Sequence, residues 1–225
     1  MQRIFDILLS SIALIILSPL LIPICILLRL TGEGEVFYLQ ERVGMGGISF
    51  KLYKFATMLK NSPNLNTGTV TLKNDPRILP AGKFLRKTKI NELPQLLNIL
   101  FGDMSIIGPR PLTAQTFGAY SAKSREAVKK IRPGLSGIGS IIFRCEEDLL
   151  AGKNGTLDFY GEVIAPYKGL LEEWYVANQN IRTYFVAILT TAWVVLCPKS
   201  TVPWRVFPGL PAPPKNIAQE LNYPF

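Results

Sequence analysis

The stretch Lys89-Ile-Asn-Glu-Leu-Pro-Gln-Leu-Leu-Asn-Ile-Leu-Phe-Gly-Asp-Met-Ser-Ile-Ile-Gly-Pro-Arg-Pro111 holds the densest set of side chains suited to chemistry in this 225-residue chain. The chain has no histidine, so Ser-His-Asp and Cys-His catalysis, HExxH zinc sites and any histidine base are excluded. Acid-base or nucleophilic work then falls to carboxylates or amines. Asn91 is a good helix N-cap, Glu92 and Pro94 fall in the first turn, and Leu93, Leu96, Leu97 and Leu100 make an apolar face that ends at Gly102. Glu92 is thereby set at the positive end of a helix, where Arg86, Lys87 and Lys89 would attract a phosphate. The plainer alternative is that Glu92 complements the helix dipole and the lysines are solvated. In Gly108-Pro109-Arg110-Pro111 two prolines stiffen the backbone around one guanidinium, which then loses little entropy on forking onto a phosphate or carboxylate; a simple turn is the alternative.

Charge narrows the partner. Residues 42–132 carry sixteen Lys and Arg against Asp75, Glu92, Asp103 and Glu126, a bias that calls for an anionic partner such as a phosphorylated metabolite, a nucleic acid or an anionic lipid surface. Cys25, Cys145 and Cys197 form no CxxC pair, which fits a reducing compartment and neither a zinc knuckle nor a disulfide framework. No GxxxxGK[ST], GxGxxG or Asp-x-Asp string is present.

The elements that must position these groups begin with a membrane segment. Ile7–Leu28 is an uncharged run of 22 residues bounded by Arg3 and Asp6 on one side and Arg29 on the other, long enough to reach across the hydrocarbon core. A signal peptide is a poor reading, because the apolar run is too long and Asp6 interrupts the basic flank. Ser18-Pro19 lies mid-segment and predicts a kink, while basic residues on both flanks favour a helix that enters and turns back over one that spans; both readings stay open on physics alone.

Beyond Arg29 the chain reads as mixed α/β. Val36–Gln40 and Ser49–Phe55 alternate around Gly44, Gly46 and Gly47 and predict a hairpin; residues 61–76 read as a surface loop; a helix starts near Ala81. Residues 181–197 are apolar and predict a helix lying in the membrane interface or packed on the core. The tail 201–225, with six prolines, Trp204 and Phe207, reads as extended.

In order along the chain stand Arg3, Asp6, Ser18-Pro19, Gln40–Gly44 (QERVG), Tyr53–Met58 (YKFATM), Asp75–Arg77 (DPR), Leu85–Thr88 (LRKT), Glu92–Leu96 (ELPQL), Gly102–Ser105 (GDMS), Gly108–Pro111 (GPRP) and Pro133–Gly137 (PGLSG). This series resembles the bacterial sugar transferase family, the monotopic phosphoglycosyl transferases, over residues 1–200. The resemblance implies transfer of a sugar-1-phosphate from a UDP-sugar to undecaprenyl phosphate with release of UMP and with Mg2+, at the cytoplasmic face of the bacterial inner membrane. It opens capsule, O-antigen or exopolysaccharide synthesis. In such enzymes a carboxylate attacks the β-phosphate to form a covalent phosphosugar intermediate, which the polyprenyl phosphate displaces.

The fold it implies is a helix-rich α/β monotopic membrane protein. Residues 1–30 form a re-entrant membrane helix broken at Ser18-Pro19, residues 31–200 a compact cytosolic domain with interfacial helices, and residues 201–225 a Pro-rich tail. Implied partners are the UDP-sugar, undecaprenyl phosphate and membrane lipids, with a homodimer allowed and no nucleic acid. The residues carried over are Asn91 and Glu92 as the catalytic pair, with Glu92 as nucleophile or Mg2+ ligand. Arg86, Arg77, Arg110 and Arg144 are carried over as phosphate contacts with Pro109 and Pro111, with Lys54 a further candidate; for Arg77 and Lys54 contact with anionic lipid is the alternative. The sequence departs from the family where the nucleophilic Asp of an Asp-Glu pair is replaced by Asn91, at Ala56 in place of Arg, and at Gly139-Ser140 in place of Ala-Gln. Glu146-Glu147-Asp148 after Arg144 is a second source of carboxylate or a solvated helix start. A catalytically silent homologue that binds substrate as a scaffold is the alternative function.

Overall fold

The computed structural model describes residues 1–31, 33–62, 75–146, 149 and 159–224. Most of the expected 61–76 loop and the acids Glu147 and Asp148 lie outside the described residues. In chain order the named elements are α1 (Gln2–Leu30), β1 (Phe37–Val43), β2 (Ser49–Phe55), α2 (Pro80–Lys87), α3 (Gln95–Phe101), β3 (Ser105–Ile107), α4 (Ala114–Gly118) and α5 (Ala122–Val128). There follow β4 (Gly134–Ser136), α6 (Ile138–Ile142), α7 (Ala165–Ala177), α8 (Ile181–Leu196) and α9 (Val202–Val206). This is a helix-rich α/β fold with one long apolar N-terminal helix, as the sequence reading expected.

Contacts divide the chain into two compact units: Met1–Asp6, Arg42–Phe50 and Gly102–Phe225 form the first, Ile7–Glu41 and Lys51–Phe101 the second. Helix α1 is long and apolar enough to cross a membrane, with a window of mean hydropathy 2.7 that is only 11% buried. Helical structure runs through Pro19 and Pro23, and the Ser18 hydroxyl donates to the Ile15 carbonyl at 2.8 Å. That bond serves a carbonyl in the turn that the proline amide cannot serve.

In the second unit the C-terminal half of α1 buries Ile24 and Leu28 against Phe55 and Leu85. The expected hairpin is present as β1 and β2, and the Asn98 amide of α3 fastens β2 by accepting from the Tyr53 N–H at 2.9 Å and donating to the Lys51 carbonyl at 2.8 Å.

In the first unit β3 and β4 pair in parallel, Ser105 opposite Gly134 and Ile107 opposite Ser136. Around them Ile107, Ile138, Ile141, Leu171, Tyr175 and Tyr184 form the core. The first turn of α1 is tied to this unit by Asp6, which accepts from Ser105 Oγ (3.0 Å), the Ile106 N–H (3.0 Å) and Tyr184 Oη (2.8 Å). Helix α8 buries Tyr184, Ala187, Thr190 and Val194 on one face and exposes Leu189, Trp193 and Leu196 on the other, the period expected of a helix with one side on the core.

The tail is not extended. Pro203 starts α9, Phe207 sits edge-on to Trp174, and Ile217 and Leu221 are buried with it in the main core. Tyr167 Oη donates to the Pro211 carbonyl at 2.8 Å. The burial of three large apolar side chains outweighs the preference of a proline-rich segment for a solvated extended form.

Candidate functional site

In the second unit, β2 carries Lys54 and α2 carries Arg86, and the chain after α2 turns back at Lys89, whose φ of 59° is left-handed. That turn changes the expected capping. Ile90–Glu92 is a single 3-10 turn, α3 starts only at Gln95, and Asn91 is not the N-cap of that helix. Asn91 is instead buried, with an Oδ1 that has no hydrogen-bond partner among the described residues. Its neighbour Glu92 is half-buried, with Oε1 3.9 Å from Lys54 Nζ. Arg86 Nη1 stands 3.5 Å from Thr57 Oγ1, at the outer limit of a hydrogen bond, and Ala56 is buried.

Arg77 is wholly internal. Its Nε and Nη2 donate to the two oxygens of Asp75 at 2.9 and 2.6 Å, its Nη1 donates to the Ser62 carbonyl at 2.7 Å, and both members of the pair are 3% exposed. The DPR motif thus ties Ser62 to the residues just before α2.

In the first unit the Pro-Arg-Pro turn is mounted on fixed backbone. Gly108 packs main chain against main chain: a Cβ there would lie 2.4 Å from the Arg132 carbonyl oxygen, and one on Gly137 would lie 2.0 Å from that of Gly108. The motifs GPRP and PGLSG are therefore two halves of one backbone contact. The Gly108 N–H donates to the Ser136 carbonyl (2.9 Å), the Pro109 carbonyl accepts from the Gly134 N–H (2.7 Å), and the Leu112 carbonyl accepts from the Val43 N–H (2.9 Å). Arg42 Nη1 donates to the Pro111 carbonyl at 3.0 Å. On this mount the Arg110 side chain is exposed, beside a shallow pocket lined by Pro109, Leu112, Phe117, Lys129 and Pro133. Arg144 is exposed as well.

Sequence reasoning missed the charged residues beneath this turn. Glu172 is 1% exposed and has an Oε2 with no partner among the described residues; burial pushes its carboxyl up to about 8, against the pull of Lys168 and Arg110. Lys168 is buried over the rings of Phe143 and Tyr160 and donates to Glu146 at 2.6 Å; burial pushes its ammonium down despite Glu146. Glu146 is therefore an ion-pair partner of a buried lysine, not a solvated helix start. The available signal was spacing: Ala165, Lys168, Glu172 and Tyr175 recur at helical intervals on one buried stripe, so two charges stand where apolar residues belong.

Among the described residues no group of three or more Asp, Glu, Cys or His side chains gathers. A Mg2+ ion needs only one or two carboxylates when phosphates and water complete its shell, so Glu92, with Asn91 one position before it carrying an Oδ1 that has no partner among the described residues, fits such an ion.

The sequence profile of the family described as bacterial sugar transferase matches residues 1–198. The chain belongs to the bacterial sugar transferase family. Among relatives of this sugar transferase, the exopolysaccharide production protein ExoY of Rhizobium meliloti is 38% identical over 154 residues, 62% of this chain and 68% of that protein. The UDP-glucose:undecaprenyl-phosphate glucose-1-phosphate transferase of Escherichia coli is 36% identical over 171 residues, 73% of this chain and 36% of that protein. The undecaprenyl-phosphate galactose phosphotransferase of Salmonella typhimurium is 33% identical over 210 residues, 87% of this chain and 40% of that protein. The sugar transferase thus spans about two thirds of the ExoY length and well under half of the other two relatives.

Proposed function

We propose that this sugar transferase is a phosphoglycosyl transferase that moves a sugar-1-phosphate from a UDP-sugar to undecaprenyl phosphate, releasing UMP, as an early membrane step of exopolysaccharide, capsule or O-antigen synthesis. The observation that carries this reading is the match of nearly the whole chain to a family whose relatives are named for transfer to undecaprenyl phosphate. In the first step an oxygen of the Glu92 carboxylate attacks the β-phosphorus, the bond to the bridging oxygen breaks, and UMP leaves. An oxygen of undecaprenyl phosphate then attacks the same phosphorus and frees the carboxylate. Glu92 would also hold Mg2+ with the Asn91 amide oxygen, and the ion would offset pyrophosphate charge. Arg110 on its fixed turn, with Arg86 and Arg144, would bind phosphate oxygens, while Arg77 would act by clamping the segment before α2.

The membrane helix is read as re-entrant, with a bend at Ser18-Pro19 inside the continuous helix and both ends on the cytoplasmic face of the bacterial inner membrane. What supports this is that Asp6 is hydrogen-bonded within the first unit and Ile24 and Leu28 pack within the second. The outward apolar face of α8 suits an interfacial helix.

A second reading, a silent substrate-binding homologue, is favoured by one observation, the amide at Asn91 where the family places its nucleophilic acid. UMP release by the detergent-extracted chain from a panel of UDP-sugars, with and without undecaprenyl phosphate and Mg2+, separates the two. Turnover dependent on all three components supports the transferase; inertness across the panel together with retained UDP-sugar binding supports the silent form.

A further inference from the structure

The shallow pocket beside the Pro-Arg-Pro turn lies wholly within the first unit, with Pro109, Leu112, Phe117 and Pro133 among its walls and Arg110 and Lys129 as its charged members. Main-chain polar groups around it are spent within the fold. The N–H groups of Val43, Gly44 and Lys129 donate to Leu112, Ile48 and Arg125, and the carbonyls of Pro109 and Pro133 accept from Gly134 and Ser105. What these walls offer a ligand is therefore apolar surface and two cations that only donate. A nucleobase suits them poorly, because the N3–H of uracil needs an acceptor that Pro, Leu, Phe, Lys and Arg side chains do not supply. An anion joined to an apolar body suits them well.

Lys129 is held for such a contact. Its carbonyl accepts from the Gly46 N–H at 2.8 Å, and its stem runs along Gly47, where a Cβ would lie 3.5 Å from Lys129 Cε. Gly46 and Gly47 have φ of 71° and 77°, so the hairpin turn reaches the lysine in a left-handed conformation that glycine adopts without strain. The ammonium stands 5.8 Å from the ring centroid of Phe117, a wall of the pocket. Its acidic partner is Glu126 at 2.7 Å, a solvent-facing pair weak enough for a phosphate to replace. The same hairpin turn exposes Met45 and Ile48, so the surface bordering the pocket is apolar too.

We propose that this pocket seats the acceptor, an isoprenyl phosphate, with Arg110 and Lys129 on its phosphate and Phe117 beside its first isoprene units. The inference rests on the reading of the chain as a transferase to undecaprenyl phosphate. In that reading Arg110 also meets the donor, whereas Lys129 serves the acceptor alone, so Lys129 separates the two ligands.

The test is equilibrium dialysis of geranyl phosphate, an isoprenyl phosphate short enough to stay in solution, against the full-length detergent-solubilised chain and protein-free micelles, with UDP and inorganic phosphate as further probes. Lys129→Met keeps the stem and removes the charge. It should weaken geranyl phosphate binding about tenfold, the factor of one hydrogen bond between charged groups, and leave UDP affinity unchanged. Glu126→Gln releases the lysine from its surface pair and should tighten geranyl phosphate binding about threefold. Native geranyl phosphate affinity in Lys129→Met would overturn the proposal. So would an equal loss of UDP affinity, which would make this a donor site, or inorganic phosphate binding as tightly as geranyl phosphate, which would leave the apolar walls without a role. If Lys129→Met does not fold, Glu126→Gln decides: tighter binding supports the site and native affinity contradicts it. Dialysis needs no turnover, so the two readings fail separately. A chain inert in UMP release that binds geranyl phosphate through Lys129 removes the transferase reading and keeps the site, and an active chain with native affinity in Lys129→Met removes the site alone.

Discussion

Replacing Glu172 by Gln should make the protein more stable, by an amount that grows with pH. The folded carboxyl is pushed up from 4.5 to about 8, chiefly by burial. Between those two values the native state holds a proton that the unfolded chain has lost, so stability falls as pH rises from 4.5 through 8 and levels off above. Each tenfold difference in proton affinity is worth about 1.4 kcal/mol, so the interval amounts to about 5 kcal/mol when complete and about 3 kcal/mol at pH 7. A glutamine has the same shape and carries no titrating proton. In a chain of this size about 2–4 °C of melting temperature accompanies each kcal/mol. Thermal unfolding of the two full-length proteins in detergent should therefore give nearly equal midpoints at pH 4.5, with Glu172→Gln ahead by about 10 °C or more at pH 8.5. Lys168, held down by burial, is present in both proteins. A gap that stays constant across this range would refute the assignment of a strongly raised carboxyl to Glu172.

Three further outcomes follow from the packing. Arg77→Met leaves Asp75 buried without its bidentate partner and should cost about 3–5 kcal/mol in thermal or denaturant unfolding; a variant of native stability that loses only UDP-sugar binding would make Arg77 a substrate contact. Phe207→Ala should cost about 3–5 kcal/mol, because the ring is buried against Trp174; a loss below about 1 kcal/mol would return the tail to a loosely attached segment. Gly108→Ala forces a Cβ to 2.4 Å from the Arg132 carbonyl and should lower both the melting temperature and UDP affinity, and a silent outcome in both would contradict the backbone contact between GPRP and PGLSG.

Much of the fold was legible because its signals are local. The glycines at 44, 46 and 47 between alternating runs announced the hairpin, and the apolar run 181–197 announced a helix lying in the interface or packed on the core. The tail was not legible, since prolines report local backbone preference, whereas Phe207, Ile217 and Leu221 are held by core residues far away in sequence. The capping expected at Asn91 failed for a similar reason: a left-handed Lys89 redirects the chain, a conformation that lysine identity does not announce. In the site, the stiffness of Arg110 was readable from its flanking prolines. The burial of Glu172 was not, because an acidic residue on a helix is ordinarily solvated and only the fold shows this one sealed inside.

The central claim is that this chain performs phosphoglycosyl transfer through Glu92 despite the amide at Asn91. The most direct measurement compares UMP release by the native chain, Asn91→Asp and Glu92→Gln with UDP-sugars, undecaprenyl phosphate and Mg2+. The account predicts turnover by the native chain and its loss in Glu92→Gln. An inert native chain that gains activity only as Asn91→Asp, or a Glu92→Gln variant that turns over at the native rate, would contradict it.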